Sequence, residues 1–357
     1  MMISLLVISS TTGRELEEMG NRTIFTPYVI GQLKWYALGW VAYLGFAALD
    51  YKKLKKWAIP LYILMLLMLV GLFFTPPIQN VQRWYRIPIL GVMFQPSEYA
   101  KLIVVIILSA FLEKQGRGAA YLRTALGASF LVLIPFILIL KEPDLGTSLV
   151  LYPVALVLFY FAGIHKTVLF WMKLIGCVGL ALVSLFFLEV LPHEKMRPYA
   201  TRILKDYQYE RLNPNTYHQK AAQTAIGLGS WTGSGWYQSE FTGKKWLPAA
   251  HTDSVFAAYS EEFGVIGVLG LLLFFLGLLY FCFQVVLVAK DSFGRLLAAG
   301  ISVYLAVHVI VNVGMMCGFL PITGVPLILV TYGGSSILST MMALGILQSV
   351  YSRRFMF

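Results

Sequence analysis

Charge is scarce in this chain. Only 13% of its 357 residues are Asp, Glu, Lys or Arg, where a soluble domain carries roughly 25%. That excludes an ordinary water-soluble globule. Cysteine is scarcer still. Cys177, Cys282 and Cys317 all fall in apolar runs, so buried thiols acting as small hydrophobes are expected, not a disulfide framework or a thiolate metal site. No basic residue precedes the first apolar run, which lacks the charge pattern of a cleaved signal. No repeat with a period of roughly 20–50 residues is visible, so residues 1–357 read as a single transmembrane domain.

Apolar residues make up 58% of the chain and lie in long uninterrupted runs. The expected fold class is therefore all-α, a polytopic integral membrane protein with about ten transmembrane helices. Candidate helices cover 1–12, 29–49, 56–75, 97–114, 122–140, 146–164, 167–190, 254–289, 295–318 and 328–352. The first is too short to cross a core that needs about 20 residues. A clipped or misassigned start and a half-inserted helix are its two readings.

Basic residues alternate along the short loops. Lys52, Lys53, Lys55 and Lys56 follow the second run, Lys114, Arg117 and Arg123 the fourth, Lys290 and Arg295 the eighth, and Arg353 and Arg354 the tenth. The positive-inside rule makes these loops and both termini cytoplasmic. Loops containing 75–96, 141–145, 191–253 and 319–327 then face outward. The net charge of +11 marks loops and helix ends, so anionic lipid head groups account for it and nucleic acid does not.

The loop at 191–253 is too long for a passive connector. It holds eight Lys/Arg, five Asp/Glu and three of the five histidines. Its centre, Tyr217 to Leu228, reads as a short amphipathic helix. The Gly/Ser/Trp run Gly227–Gly235 that follows suits a turn where backbone comes close to a ligand. A flexible loop with tolerated charge is the plainer reading.

Polar side chains gather at the outward rim. Gln82-Arg83-Trp84-Tyr85-Arg86 forms one cluster. Gln95-Pro-Ser-Glu98 with Lys101 forms a second. There Pro96 and Ser97 start a helix, Glu98 sits in its first turn, and Lys101 lies three residues on along the same face. That pair reads either as a structural ion pair or as a cation held ready for phosphate. In Lys141-Glu-Pro-Asp-Leu-Gly-Thr147, Asp144 is a plausible N-cap. The fourth cluster combines Pro321-Ile-Thr-Gly-Val-Pro326 with Thr331-Tyr-Gly-Gly-Ser335-Ser336, where the glycines break the helix or admit a neighbour. Asp253, in Trp246-Leu-Pro-Ala-Ala-His-Thr-Asp253, joins the long loop to an apolar span. An ionisable group at such a junction must stay hydrated, pair, or do chemistry.

Together, Gln95-Pro-Ser-Glu98 with Lys101, Pro143-Asp-Leu-Gly-Thr147, His251-Thr-Asp253, Glu261-Glu-Phe-Gly264 and Tyr332-Gly-Gly-Ser-Ser336 resemble the SEDS family over nearly the whole chain. They resemble its rod-shape elongation members more than the division or sporulation members. The resemblance implies a bacterial peptidoglycan glycosyltransferase that polymerises lipid II, yielding undecaprenyl-linked glycan, at the extracytoplasmic face of the cytoplasmic (inner) membrane. It also implies a class B penicillin-binding protein as partner. The chain departs from the family at Ala249, where a Glu is common, at Ser254, usually aromatic, at Glu142, usually Gln, and at Pro326-Leu-Ile-Leu329.

The implied reaction joins a sugar 4-hydroxyl to an anomeric carbon with loss of a lipid pyrophosphate, and α-to-β inversion means direct displacement. One base and cations for the developing phosphate charge are the minimum set. Asp253 is the expected base, with Glu98 and Lys101 completing the catalytic set. Arg83, Trp84, Asp144, Arg197, Arg202, Arg211, His251, Thr252, Ser335 and Ser336 are the substrate-binding candidates. A divalent cation, Mg or Mn, is left open, since no ligand cluster in the sequence proves one. The competing readings are a lipid II flippase and a non-enzymatic scaffold. A flippase should carry polar residues through the bilayer, whereas here Lys173 is the only obvious charge near mid-span.

Overall fold

A computed structural model describes residues 1–17, 24–77, 81–87, 92–188, 190–201 and 209–355. Its helices are α1 (Met2–Glu17), α2 (Pro27–Ala48), α3 (Tyr51–Leu72), α4 (Pro96–Gln115), α5 (Leu122–Lys141), α6 (Leu145–Ala162), α7 (Lys166–Phe187), α8 (His193–Ala200), α9 (Tyr217–Gly229), α10 (Glu240–Gly243), α11 (Val255–Val288), α12 (Ser292–Met316) and α13 (Gly334–Ser352). A hairpin of β1 (Tyr85–Ile87) and β2 (Val92–Phe94) precedes α4, pairing Tyr85 with Phe94 antiparallel. The protein is a polytopic all-α membrane protein.

Among the described residues six helices are long and apolar enough to cross a bilayer: α3, α5, α6, α7, α11 and α12. α4 and α13 are long enough but more polar, because they bury polar side chains. α4 buries Ser97, Glu98, Lys101 and Ser109, and α13 buries Ser339, Thr340 and Ser349. Inside a membrane bundle such groups are tolerated only where protein surrounds them.

Several boundaries differ from the sequence reading. α3 begins at Tyr51, because Asp50 caps it by accepting from the Lys52 amide. The lysines at 52, 53, 55 and 56 therefore ride on the first turns of a helix and are not in a loop. α13 begins at Gly334, not 328, since Thr331 to Gly333 is extended or turn. The hairpin, α8 and α10 are additional. Of the three thiols expected to be buried, only Cys282 is; Cys177 is exposed on α7 and Cys317 is half-buried. α7 has Phe186 as its one buried side chain among the described residues, which leaves Cys177 on a surface for lipid to cover.

The described chain forms two compact units: 1–33 with 174–275 and 308–332, and 34–173 with 276–307 and 333–357. In the second, α4 packs on α3, α5, α6 and α13. Its core includes Val104, Val105 and Leu108 of α4, Leu151, Val154 and Leu158 of α6, and Leu297 and Ile301 of α12, all buried.

In the first unit the central feature is a break in α11. This helix has 34 residues, about 51 Å at 1.5 Å per residue, well beyond a hydrocarbon core of about 30 Å. At Gly264 the backbone turns to φ 60°, ψ −166°, a conformation open essentially to glycine alone. The break leaves helical N–H and C=O groups that need partners. The loop at 230–235 supplies them. Ser234 and Gly235 amides donate to the Glu261 and Glu262 carbonyls at 2.9 and 3.0 Å, and Val265 and Ile266 amides donate to the Ser230 and Trp231 carbonyls at 2.9 and 3.1 Å. A Cβ on Gly229 or Gly233 would lie 1.9 or 2.1 Å from the carbonyl oxygen of Ser260 or Glu262. The Gly/Ser/Trp run expected to admit a ligand thus admits the backbone of α11 itself.

Candidate functional site

Asp253 sits in a turn that runs into α11. The Ala249 carbonyl closes it, accepting from the Thr252 and Ser254 amides at 3.0 and 3.1 Å. The hydroxyl of Thr252 also donates to that carbonyl at 3.3 Å. Ala249 adopts φ 51° to do so, a left-handed conformation that is uncommon without glycine. Neighbouring elements of the same unit grip this turn by its backbone. Asn312 of α12, fully buried, donates from Nδ2 to the Asp253 carbonyl at 3.3 Å and to the Val325 carbonyl at 2.8 Å. The Thr331 hydroxyl donates to the Thr252 carbonyl at 3.3 Å, and the Tyr332 amide donates to the His251 carbonyl at 3.0 Å.

The side chains around this turn form a half-open wall. Asp253, Thr252 and His251 are half-buried. The His251 ring lies 5.0 Å from that of Tyr28 and 6.1 Å from that of Tyr332. Gly324 faces the carboxylate so closely that a Cβ there would be 3.5 Å from Asp253 Oδ2. Arg211 reaches the same loop, donating to the Thr323 carbonyl at 3.4 Å.

Two neighbours that the sequence reading did not single out are Asn312 and His218. Nε2 of His218 on α9 shares a 2.7 Å hydrogen bond with the Ser254 hydroxyl. Burial holds the His218 imidazole below its usual range, which favours its neutral form. An Asn late in a long apolar run was the signal available for Asn312. For His218 the signal was its place in the first turn of α9.

Glu261 and Glu262, on the short segment of α11 before the break, have a different task. Glu261 accepts from the Phe241 and Thr242 amides at 2.8 and 3.0 Å and from the Thr242 hydroxyl at 2.6 Å. Glu262 accepts from the Tyr237 amide at 3.3 Å. These carboxylates tie down the loop ahead of Asp253.

The second unit holds the Glu98–Lys101 pair and the polar turn at 141–147. Gln95 is the N-cap residue of α4 and Pro96 opens the helix. Glu98 and Lys101 form an ion pair at 2.8 Å and are only 2% and 1% exposed. The Lys101 ammonium also lies 5.3 Å from the Tyr304 ring centroid. Asp144 caps α6 through the Thr147 amide and accepts from Ser97, Thr147 and Gln95 side chains at 2.9, 2.9 and 3.1 Å. Arg83 donates from Nε to the Glu142 carbonyl at 3.1 Å and from Nη2 to the Pro143 carbonyl, so its guanidinium clamps the turn between α5 and α6. Trp84 is half-buried before β1. Ser335 accepts from the Gln95 amide at 3.1 Å, and the Ser336 carbonyl accepts from Ser339 at 3.1 Å.

Glu142 lies in that turn, 1% exposed, with no hydrogen-bond partner on either carboxyl oxygen. Burial, with Asp144 adding to it against Arg83, pushes its carboxyl up to about 9. That shift favours its neutral form at neutral pH. Of the remaining arginines, Arg197 forms an exposed pair with Glu210 at 3.4 Å, and Arg202 lies outside the described residues. Among the described residues no three His, Cys, Asp or Glu side chains gather in a way that could hold a metal.

Fold and site together define a multi-pass helical membrane protein with an acidic turn braced against a broken helix. The profile of the FtsW/RodA/SpoVE family, described as "Cell cycle protein", matches residues 1–354, and the chain belongs to this family. It is 33% identical over 355 residues to the peptidoglycan glycosyltransferase MrdB of Escherichia coli K12, covering 98% of this chain and 90% of that protein. It is 34% identical over 327 residues to the probable peptidoglycan glycosyltransferase FtsW of Geobacter metallireducens, covering 88% and 82%. Among solved structures, a chain of a peptidoglycan synthase complex that coordinates polymerization and crosslinking matches with TM-score 0.75 and 28% identity, covering 99% of this chain and 97% of that one. The rod shape determining protein RodA of Thermus thermophilus matches with TM-score 0.66 and 26% identity, covering 99% and 96%.

Proposed function

We propose that this chain is the peptidoglycan glycosyltransferase its relatives are named for, and that it polymerises lipid II into glycan strands with Asp253 as general base. The observation that carries this reading is the Asp253 turn. Its backbone is fixed by α12 and by the loop before α13, and Asp253 sits half-buried beside Gly324 and a wall of aromatic rings. A base needs a fixed position and access to a hydroxyl.

In the proposed reaction Asp253 takes the proton of the acceptor's 4-hydroxyl. The oxygen attacks the donor's anomeric carbon from the face opposite the lipid pyrophosphate, the bond to pyrophosphate breaks, and the configuration inverts. Pyrophosphate is a good leaving group, so a second carboxylic acid is not required as it is in glycoside hydrolysis. Lys101, held by Glu98, and the basic residues Arg83, Arg197, Arg202 and Arg211 are the proposed sources of positive charge for the departing phosphates. The described side chains build no metal cage. A Mg or Mn ion, if the reaction uses one, would supply further positive charge for the pyrophosphate.

We place Asp253 and the 191–253 loop on the extracytoplasmic face of the bacterial inner membrane, a reading that the distribution of basic residues along the chain supports. A class B penicillin-binding protein is the proposed partner, a reading supported by the resemblance to a chain of a peptidoglycan synthase complex. The test is purified protein in detergent with lipid II and a transpeptidase inhibitor, scored for glycan polymer with and without that partner. Polymer supports the reading. Translocation of lipid II in vesicles without any polymer would favour a flippase, and neither activity would leave a scaffold.

A further inference from the structure

α9 is fixed to the end of α12 and to the turn ahead of α11. Thr216 caps its first turn by accepting from the Gln219 amide at 3.3 Å. Gln219 donates from Nε2 to the Met315 carbonyl near the end of α12 at 2.6 Å. Gln223 packs so tightly that a Cβ on Gly318 would sit 1.9 Å from its Nε2. The same helix presents His218 to Ser254, the residue that follows Asp253.

Ser254 is the joint between the acidic turn and α11. Its amide closes the turn on the Ala249 carbonyl at 3.1 Å, and its carbonyl accepts the Ala258 amide at 3.0 Å to start the helix. Its side chain is fully buried. Asp253 is thus held through its own carbonyl by Asn312 and through the next residue's hydroxyl by His218. A histidine needs a hydrogen-bonding partner to act this way. Here Ser254 supplies one, at 2.7 Å.

We propose that His218 is a positioning residue for Asp253, holding the Ser254 hydroxyl so that the carboxylate stays aimed at the acceptor. The proposal rests on Asp253 being the base. His218 touches no reacting atom. It makes the loop helix part of the active site, because a small misplacement of a catalytic group lowers the chemical step more than substrate binding.

The experiment measures glycan polymerisation against lipid II concentration for the full chain and its variants. Melting temperature is read in the same detergent. His218→Ala and Ser254→Ala are each expected to lower kcat about tenfold or more with KM within about twofold, and the double variant to be no worse than either single. His218→Gln keeps a donor near the position of Nε2 and is expected to restore most of kcat. Tyr217→Phe on the same helix loses only a 2.8 Å bond to the Trp246 carbonyl and is expected to match the parent. Should His218→Ala fail to fold, Ser254→Ala carries the test as the smaller change.

Parent-like kcat in folded His218→Ala or Ser254→Ala, multiplying losses in the double variant, or no rescue by Gln would overturn the proposal. Asp253→Asn in the same series separates the two ideas. If it is inactive while His218→Ala is parent-like, only the positioning role fails. If it is itself parent-like, the base assignment fails and the positioning role with it.

Discussion

Asp253 and the Glu98–Lys101 pair both lie at or near the start of a helix, yet they are held differently. The hydrogen bonds from Asn312, Thr331 and Tyr332 that fix the Asp253 turn fall on main-chain carbonyls of residues 251–253, and Asp253 is half-buried. The Glu98–Lys101 pair is fixed through its charged atoms and is sealed to 2% and 1% exposure. A group held by its backbone can meet a substrate without giving up its anchors. A buried ion pair has spent its charge internally, and breaking it leaves an uncompensated charge in a poor solvent. The first arrangement suits chemistry. The second suits a charge fixed in place within the helix bundle.

Measured as stability, the largest effect is expected at the pair. Lys101→Ala leaves Glu98 buried alone and should cost about 3–5 kcal/mol, read as denaturant or thermal midpoint in detergent. Replacing both residues should cost less than the sum of the singles, since neither charge is then stranded. Strict additivity would show that the two do not act as a unit. In the Asp253 region the comparable weak point is backbone. Gly264→Ala is expected to cost about 1–3 kcal/mol from conformation alone. Contact with the Gly233 amide nitrogen, 2.4 Å from the added Cβ, would add to that. Faster hydrogen exchange at Ser234 and Gly235 would report the loosened loop, and unchanged exchange would remove the break from the account.

A smaller effect of opposite sign is expected at Glu142. Its folded-state value of about 9, against an ordinary 4.5, means the folded protein keeps a proton that the unfolded chain releases. Stability should therefore fall as pH rises between those two values. Glu142→Gln removes that titration and should flatten the slope, raising stability at pH 8 by about 1 kcal/mol or more. An unchanged pH slope would mean that the carboxyl is not held neutral. Least of all, Arg197→Ala breaks an exposed pair with Glu210 and should shift stability by no more than about 0.5 kcal/mol. If activity nevertheless falls tenfold, Arg197 serves the substrate.

Local signals were the legible ones. Pro96 and Ser97 announced the start of α4, Asp144 the start of α6, and the three-residue spacing of Glu98 and Lys101 placed them on one face. Long apolar runs located the membrane helices, and the amphipathic pattern from Tyr217 to Leu228 located α9, which extends to Gly229, since these patterns lie within a few turns of chain. The rest depends on partners far along the sequence. Nothing near Gly264 says that residues 230–235 will satisfy the carbonyls it frees, so α11 read as one uninterrupted span. Lysines after the second apolar run read as a loop because hydropathy has no term for the Asp50 cap or for side chains that snorkel. His218 and Asn312 stayed hidden because each earns its role only once Ser254 or the Asp253 carbonyl is brought to it. The hairpin was missed because three-residue strands carry too little alternation to register.

The central claim is that Asp253 performs chemistry while its surroundings hold it still. The most direct test compares glycan polymer formed from lipid II by the parent and by Asp253→Asn, at equal folded protein, with a transpeptidase inhibitor present and the melting temperature read on the same samples. A loss of about 10²–10⁴-fold at an unchanged melting temperature is the predicted result. Polymerisation within about threefold of the parent, well short of the loss expected of a general base, would contradict the account.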